Sequence, residues 1–248
     1  MNKVFGVHPG FRANHAKGIV AEGHFTGAPE ALGLSRAVLF NGSPIPVTVR
    51  FSDATGVPNI PDGSPEARPH GIAIKYHLPN GSDTDMVINS FKFFPVATGE
   101  DFRDLLLALA ASPPDAPKPT KFDQFAASHP SVPAAFALAT PDSFANEEYY
   151  GVNAFVFVNK AGVRQAVRYQ LVPEHLVHLS ASDAAKQPPN FDGRTAGAPQ
   201  ARPNNVSPEG AACSGRRFYQ GPVSSLAGRP QGRGAGRFDG RQSSARQC

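Results

Sequence analysis

The sequence predicts an α+β fold, and three observations carry that reading. Residues 12–91 hold four short runs rich in β-branched and aromatic residues, separated by turn-forming residues. One segment beyond residue 98 repeats its apolar side chains at helical spacing. Strand-like runs then resume between Asn153 and Leu171.

The four early runs are residues 19–25, 47–52, 71–78 and 86–91. Between them lie Asn41-Gly42-Ser43-Pro44, Pro61-Asp62-Gly63-Ser64-Pro65 and Pro79-Asn80-Gly81-Ser82. The last of these, Asn-Gly between two strand-like runs, predicts a hairpin. Thr98 is placed to cap a helix whose first turn carries Glu100 and Asp101. Phe102, Leu105, Leu106 and Leu109 give that helix one apolar face. Residues 112–121 read as a proline-rich linker, and residues 122–140 as helical turns broken at Pro130 and Pro133. Strands at residues 153–158 and 166–171 follow, joined by a turn at Asn159-Lys160-Ala161-Gly162. Residues 172–185 close the ordered part as a helix.

After Phe191 the texture changes. Residues 192–248 hold ten glycines, five prolines and nine arginines, and no apolar period survives. Such a segment cannot bury enough apolar surface to offset its ordering entropy, so a disordered tail is expected there. GC-rich coding sequence read out of frame would give the same texture. The chain thus divides into an ordered part, 5–191, and a tail, 192–248.

The formal net charge of +4 resides in the tail: nine arginines against three acids make it +6, leaving residues 1–191 at −2. The tail's charge implies only non-specific attraction to anionic surfaces or nucleic acid, with no reading element for a specific sequence. No apolar run approaches the roughly 20 residues that cross a bilayer, so no membrane partner is expected. The start has no apolar leader core, which points to the cytoplasm, or to the periplasm if a leader precedes Met1. Cys213 and Cys248 are the two cysteines, and they specify neither a disulfide framework nor a metal site.

Three strand-like runs carry polar groups at their apolar centres or mouths. His15 stands at the mouth of the first, Arg50 and Ser52 lie in the second, and Asn89 in the fourth. Strand alternation sends Arg50 and Ser52 to one face. A sheet containing these runs would gather His15, Arg50, Ser52 and Asn89 around one pocket. A neutral imidazole can take up a proton and return it. A hydroxyl at Ser52 can orient that ring, and the Asn89 amide can donate to a ligand without competing for protons.

The motifs Arg12-x-x-His15-Ala16-Lys17-Gly18, Val49-Arg50-Phe51-Ser52, Gly71-x-Ala73-x-Lys75, Asp85-x-Val87-x-Asn89 and Phe93-Phe94 with Phe102 stand in that order. Together they resemble the haem catalases, and are most similar to their short branch, the catalase-related peroxidases. The resemblance covers roughly residues 5–191. It implies an antiparallel β-barrel of the catalase type with flanking helices, incomplete at the C-terminus, and haem b with its iron as cofactor. By the same resemblance His15, Asn89 and Ser52 are catalytic, Arg12 and Arg50 hold haem propionates, and Phe94 and Phe102 line the porphyrin. The implied activity is a haem peroxidase using hydrogen peroxide or organic peroxides with a small organic donor, with weak catalase activity.

The chain also departs from the family. Asn14 stands where catalases carry valine, and Ala67-Arg68-Pro69-His70-Gly71 where they carry Arg-Asp-Pro-Arg-Gly. Both changes lean toward peroxidase chemistry. The family ligates iron through a tyrosinate with an arginine one turn earlier. No tyrosine here has an arginine four residues before it: Tyr219, in the tail, has Gly215. No axial ligand is therefore assigned, and the alternative is an inactive remnant without a proximal ligand. The oligomeric state has no signal in the sequence.

Overall fold

The computed structural model describes residues 1–191 and 236–241. A short helix α1 (Asn2–Phe5) precedes four long strands, β1 (Gly18–Gly27), β2 (Pro44–Asp53), β3 (His70–His77) and β4 (Asp83–Asn89). Helices α2 (Gly99–Ala110), α3 (Lys121–Ser128) and α4 (Ser131–Phe136) come next. Short strands follow: β5 (Thr140–Pro141), β6 (Tyr149–Tyr150), β7 (Phe155–Val158), β8 (Arg164–Val167), β9 (Gln170–Leu171) and β10 (His178–Leu179). One helical turn, α5 (Ala181–Ala184), and a last strand, β11 (Gly236–Arg241), complete the described elements.

Seven strands form one antiparallel sheet in the order β11-β1-β2-β3-β4-β6-β9, curled into half a barrel. The Asn80-Gly81 turn joins β3 to β4 as the sequence predicts. Directly opposite residues share a face of the sheet, so the register sorts the side chains. Phe25 lies opposite Ile45, Val47 opposite Tyr76, and Phe51 opposite Ile72, which faces Ile88. All of these are buried, and they make the main core. Each such side chain contributes about 1.5–3 kcal/mol on burial. A slip of one residue would turn that whole set to water, so the core fixes the register.

The helices form a second, smaller core around Val96, Leu105 and Val132, with Phe102, Leu109, Phe122 and Phe136 against it. Thr98 caps α2, its hydroxyl accepting from the Asp101 N–H at 3.1 Å. Thr120 and Asp123 cap α3 reciprocally. None of the helices among the described residues is long and apolar enough to cross a membrane.

Several expectations are corrected. Pro130 separates α3 from α4, but Pro133 lies inside the first turn of α4. There its missing N–H has no intrahelical bond to lose. The run 166–171 is two strands, not one. β8 ends at Val167 and pairs with β7, whereas Gln170 and Leu171 pair with β6. Tyr169 makes the transfer, its carbonyl accepting from the Gly151 N–H at 2.8 Å. Residues 172–185 are not a helix beyond α5. Pro173 interrupts the pattern, the Val177 N–H donates to the Asn146 carbonyl at 3.3 Å, and β10 pairs with β5. Of the tail expected to be disordered, residues 236–241 form a strand along the outer edge of β1, with Phe25 opposite Phe238. An open strand edge offers unpaired N–H and C=O groups that recruit any available extended segment. The other tail residues lie outside the described set.

Candidate active site

The face of the sheet opposite the main core carries the candidate residues. One cross-strand row reads Gly18, Ser52, Gly71, Asn89 and Tyr150 across β1, β2, β3, β4 and β6. The adjacent row reads Val20, Arg50, Ala73 and Val87. Strand alternation therefore places Ser52, Asn89 and Arg50 on one surface, and His15 enters it from the segment before β1.

His15 has φ +53°, the one non-glycine residue with positive φ among those described. An unbranched L residue held in this region stores strain, of order 1–3 kcal/mol, that the surroundings must enforce. They do so at several atoms. Arg50 donates from Nη2 to the His15 carbonyl at 2.8 Å, and the Ala16 N–H donates to the Thr55 carbonyl at 3.0 Å. The ring itself meets Ser52, with Nδ1 3.0 Å from Oγ. A Cβ on Gly71 would lie 2.9 Å from His15 Cε1 and 3.1 Å from both Nδ1 and Ser52 Oγ. Glycine at 71 thus makes the space in which the imidazole lies. Glycine at 18 does the same for the Arg50 guanidinium, since a Cβ there would be 2.8 Å from Cζ and Nη2.

Burial, then the positive charges of Arg50 and Arg12, hold the His15 imidazole below its ordinary pKa. The ring is therefore neutral at pH 7 and available as a base. Asn89, the last residue of β4, accepts the Phe91 N–H on Oδ1 at 2.9 Å. This fixes the amide so that its NH₂ group is the end left to donate. Arg12 is exposed, with its charge near the ring.

The aromatic pair packs together at α2. Phe94 and Phe102 meet each other at 5.1 Å between ring centroids, and Phe102 packs into the helical core. Phe94 is exposed. The structure thus joins His15, Ser52, Arg50 and Asn89 on one face, and sets Phe94 and Phe102 against α2.

Two features escaped sequence reasoning. The steric roles of Gly18 and Gly71 were hidden because a glycine in a strand run reads only as a weak strand former. Asp53 and His70 were given no role, yet both are fully buried. Their signal was parity: each stands at a core-facing position of a strand, where an apolar residue is expected.

The family model described as Catalase matches residues 10–194. The chain is 38% identical over 192 residues to a catalase-related peroxidase of Mycolicibacterium paratuberculosis, covering 75% of this chain and 60% of that protein. A catalase-related peroxidase of Synechococcus elongatus is 37% identical over 193 residues, covering 75% of this chain and 56% of that protein. The chain therefore spans 56–60% of the length of these two relatives. Among solved structures, a fungal catalase aligns with TM-score 0.59 at 22% identity, over 71% of this chain and 36% of that one. A bacterial catalase aligns with the same TM-score at 23% identity.

Proposed function

The chain belongs to the catalase family, and from that premise we propose that it is a haem-dependent peroxidase. It reduces hydrogen peroxide or an organic peroxide with electrons from a small organic donor. The observation that supports this most is the strained, neutral His15 held 3.0 Å from Ser52 over the Gly18–Gly71 row.

The donor set fits a haem. Val20, Ala73 and Val87 put apolar side chains on the same face as Gly18 and Gly71, and Val87, at the β4 end of that row, is 77% exposed. An apolar ring would cover these side chains. Arg12 and Arg50 supply the cations that suit its propionates, and the family resemblance gives Phe94 and Phe102 to the lining of the ring. When bound, the group would supply the electrons for peroxide reduction and regain them from the donor.

The chain's own residues handle protons and orientation. With its Nδ1–H donating to Ser52 Oγ, His15 carries its lone pair on Nε2. That atom takes the proton from one peroxide oxygen and returns it to the other as the O–O bond breaks. The Asn89 NH₂ group donates to the peroxide and steadies developing negative charge. Overall, two electrons and two protons from the donor convert the peroxide to water and an alcohol, or to two waters.

Titrating the purified chain with haemin tests this. A saturable Soret band and peroxide-dependent donor oxidation are expected, with oxidation reduced about 10²–10⁴-fold in His15→Ala. Activity unchanged in that variant would overturn the reading. A second reading, an inactive chain with a distal pocket only, is favoured by the missing arginine-x-x-x-tyrosine spacing in all 248 residues. It predicts no saturable haem binding.

A further inference from the structure

Behind the candidate site, on the core side of the same sheet, five charged groups are brought together. Asp53 and His70 are fully buried, and Asp62 and Glu147 nearly so. Lys17 completes the set through its ion pair with Asp62. His70 Nδ1 lies 2.7 Å from Glu147 Oε2, and Nε2 lies 3.0 Å from the Asp62 carbonyl. Both partners accept, so the ring carries both hydrogens and is a buried imidazolium. Lys17 Nζ also donates to the carbonyls of Ile60 at 2.7 Å and Pro189 at 3.0 Å.

Asp53 is the exception. Neither of its carboxyl oxygens meets an N–H or hydroxyl donor among the described residues: its neighbour is the Asp62 carboxyl, and Oδ1 lies 3.7 Å from His70 Nε2. The groups facing it are Asp62, His70 and Lys17. Arg68 faces Glu147 first and Glu66 second. Asp62 accepts the Phe191 N–H at 2.8 Å and pairs with Lys17, and Glu147 holds His70. Asp53 alone of the three buried carboxyls holds no donor, and a buried carboxyl without one is least costly when it keeps its proton.

The location gives this cluster a role. Asp53 follows Ser52, His70 precedes Gly71, and Lys17 is two residues after His15. The His15, Ser52 and Gly71 segments thus each send a neighbouring side chain through to the cluster. The backbones are also tied directly, the Asp53 N–H donating to the Lys17 carbonyl at 3.3 Å.

We propose that Lys17, Asp53 and His70 are positioning residues for His15, holding the His15, Ser52 and Gly71 segments from the far side of the sheet while Asp53 carries a proton. Burial, then the Asp62 carboxylate, pushes the Asp53 carboxyl up to about 8. Losing the proton places an uncompensated negative charge in the cluster. The segments then part and the His15–Ser52 hydrogen bond loosens, reversibly, on the alkaline side.

The inference rests on the reading of His15 as the base, but its test needs no haem. In the full-length haem-free chain with ¹⁵N-labelled histidine, the His15 ring resonances are followed from pH 5 to pH 10. Two transitions are expected: the ring's own, below the ordinary histidine value, and a second shift near pH 8. The second shift is lost in Asp53→Asn, which keeps the shape without the titration. A second shift that persists in Asp53→Asn, or a His15 signal with one transition only, would overturn the proposal. The ¹³Cγ resonance of Asp53 in the unaltered chain is an independent check, requiring no variant. A protonated carboxyl at pH 6 is expected, and an ionised one would overturn the proposal. Failure of haem binding sinks the proposed function and leaves these resonances unchanged, so the two failures are distinguishable.

Discussion

His70→Ala is expected to destabilise the folded chain by about 3–5 kcal/mol, the usual cost of removing one partner from a buried charge pair. The imidazolium neutralises Glu147 directly and stands 3.7 Å from Asp53. It also packs edge-on against Phe144 and Phe191, at 5.0 and 5.5 Å between centroids. Alanine would leave a void and a Glu147 carboxylate without its cation. The loss should be largest where the ring is charged and shrink as pH climbs through the raised His70 value, above which the unaltered chain has no imidazolium to lose.

The unaltered chain itself loses stability as pH rises. The folded-state pKa of Asp53 is raised, so below about pH 4 both folded and unfolded chains hold the proton. Between there and about 8 only the folded chain holds it, and stability falls as pH rises across that span. His70, also raised, adds a loss in the same direction as pH climbs through its folded value. Urea unfolding at pH 5.5 and pH 8 measures both effects. A His70→Ala loss under about 1 kcal/mol, or a stability that rises with pH, would contradict the buried imidazolium.

What the sequence made legible, and what it did not, follows from the range of the interactions. Arg50 and Ser52 could be assigned one face from alternation alone, because that is a property of a single strand. The Thr98 cap and the Asn80-Gly81 hairpin were equally local. Residues 172–185 were misread as helix because the partner that extends them, β5, lies some 40 residues away along the chain. The same limit hid the cluster. Asp53, Asp62, His70 and Glu147 come from four separate segments, and nothing within one window pairs them. Phe102 shows the converse. Its helical spacing was read correctly, but spacing gives the helix an apolar face without saying which core that face enters, and here it enters the one shared by α2, α3 and α4.

Gly71→Ala should separate positioning from folding. The new Cβ, 2.9 Å from His15 Cε1, requires the ring or the strand to move. The strand is pinned on both sides, Gly71 lying between Ser52 and Asn89 in the ladder. The His15 backbone is pinned as well, by Arg50 and by its own positive-φ conformation. The imidazole is therefore what yields, swinging outward and losing Ser52. Stability should fall by about 1–3 kcal/mol, the usual cost of overpacking. Peroxide-dependent oxidation should fall further, by about 10²-fold or more, as the base loses its orientation, while haemin uptake is retained. In the haem-free chain the His15 pKa should rise toward its ordinary value, because burial is the largest cause of its depression. Gly33→Ala is the control, since a Cβ there meets nothing within 4 Å and its φ is not positive. If Gly71→Ala behaves like Gly33→Ala in both His15 titration and oxidation, the glycine is not what seats the ring.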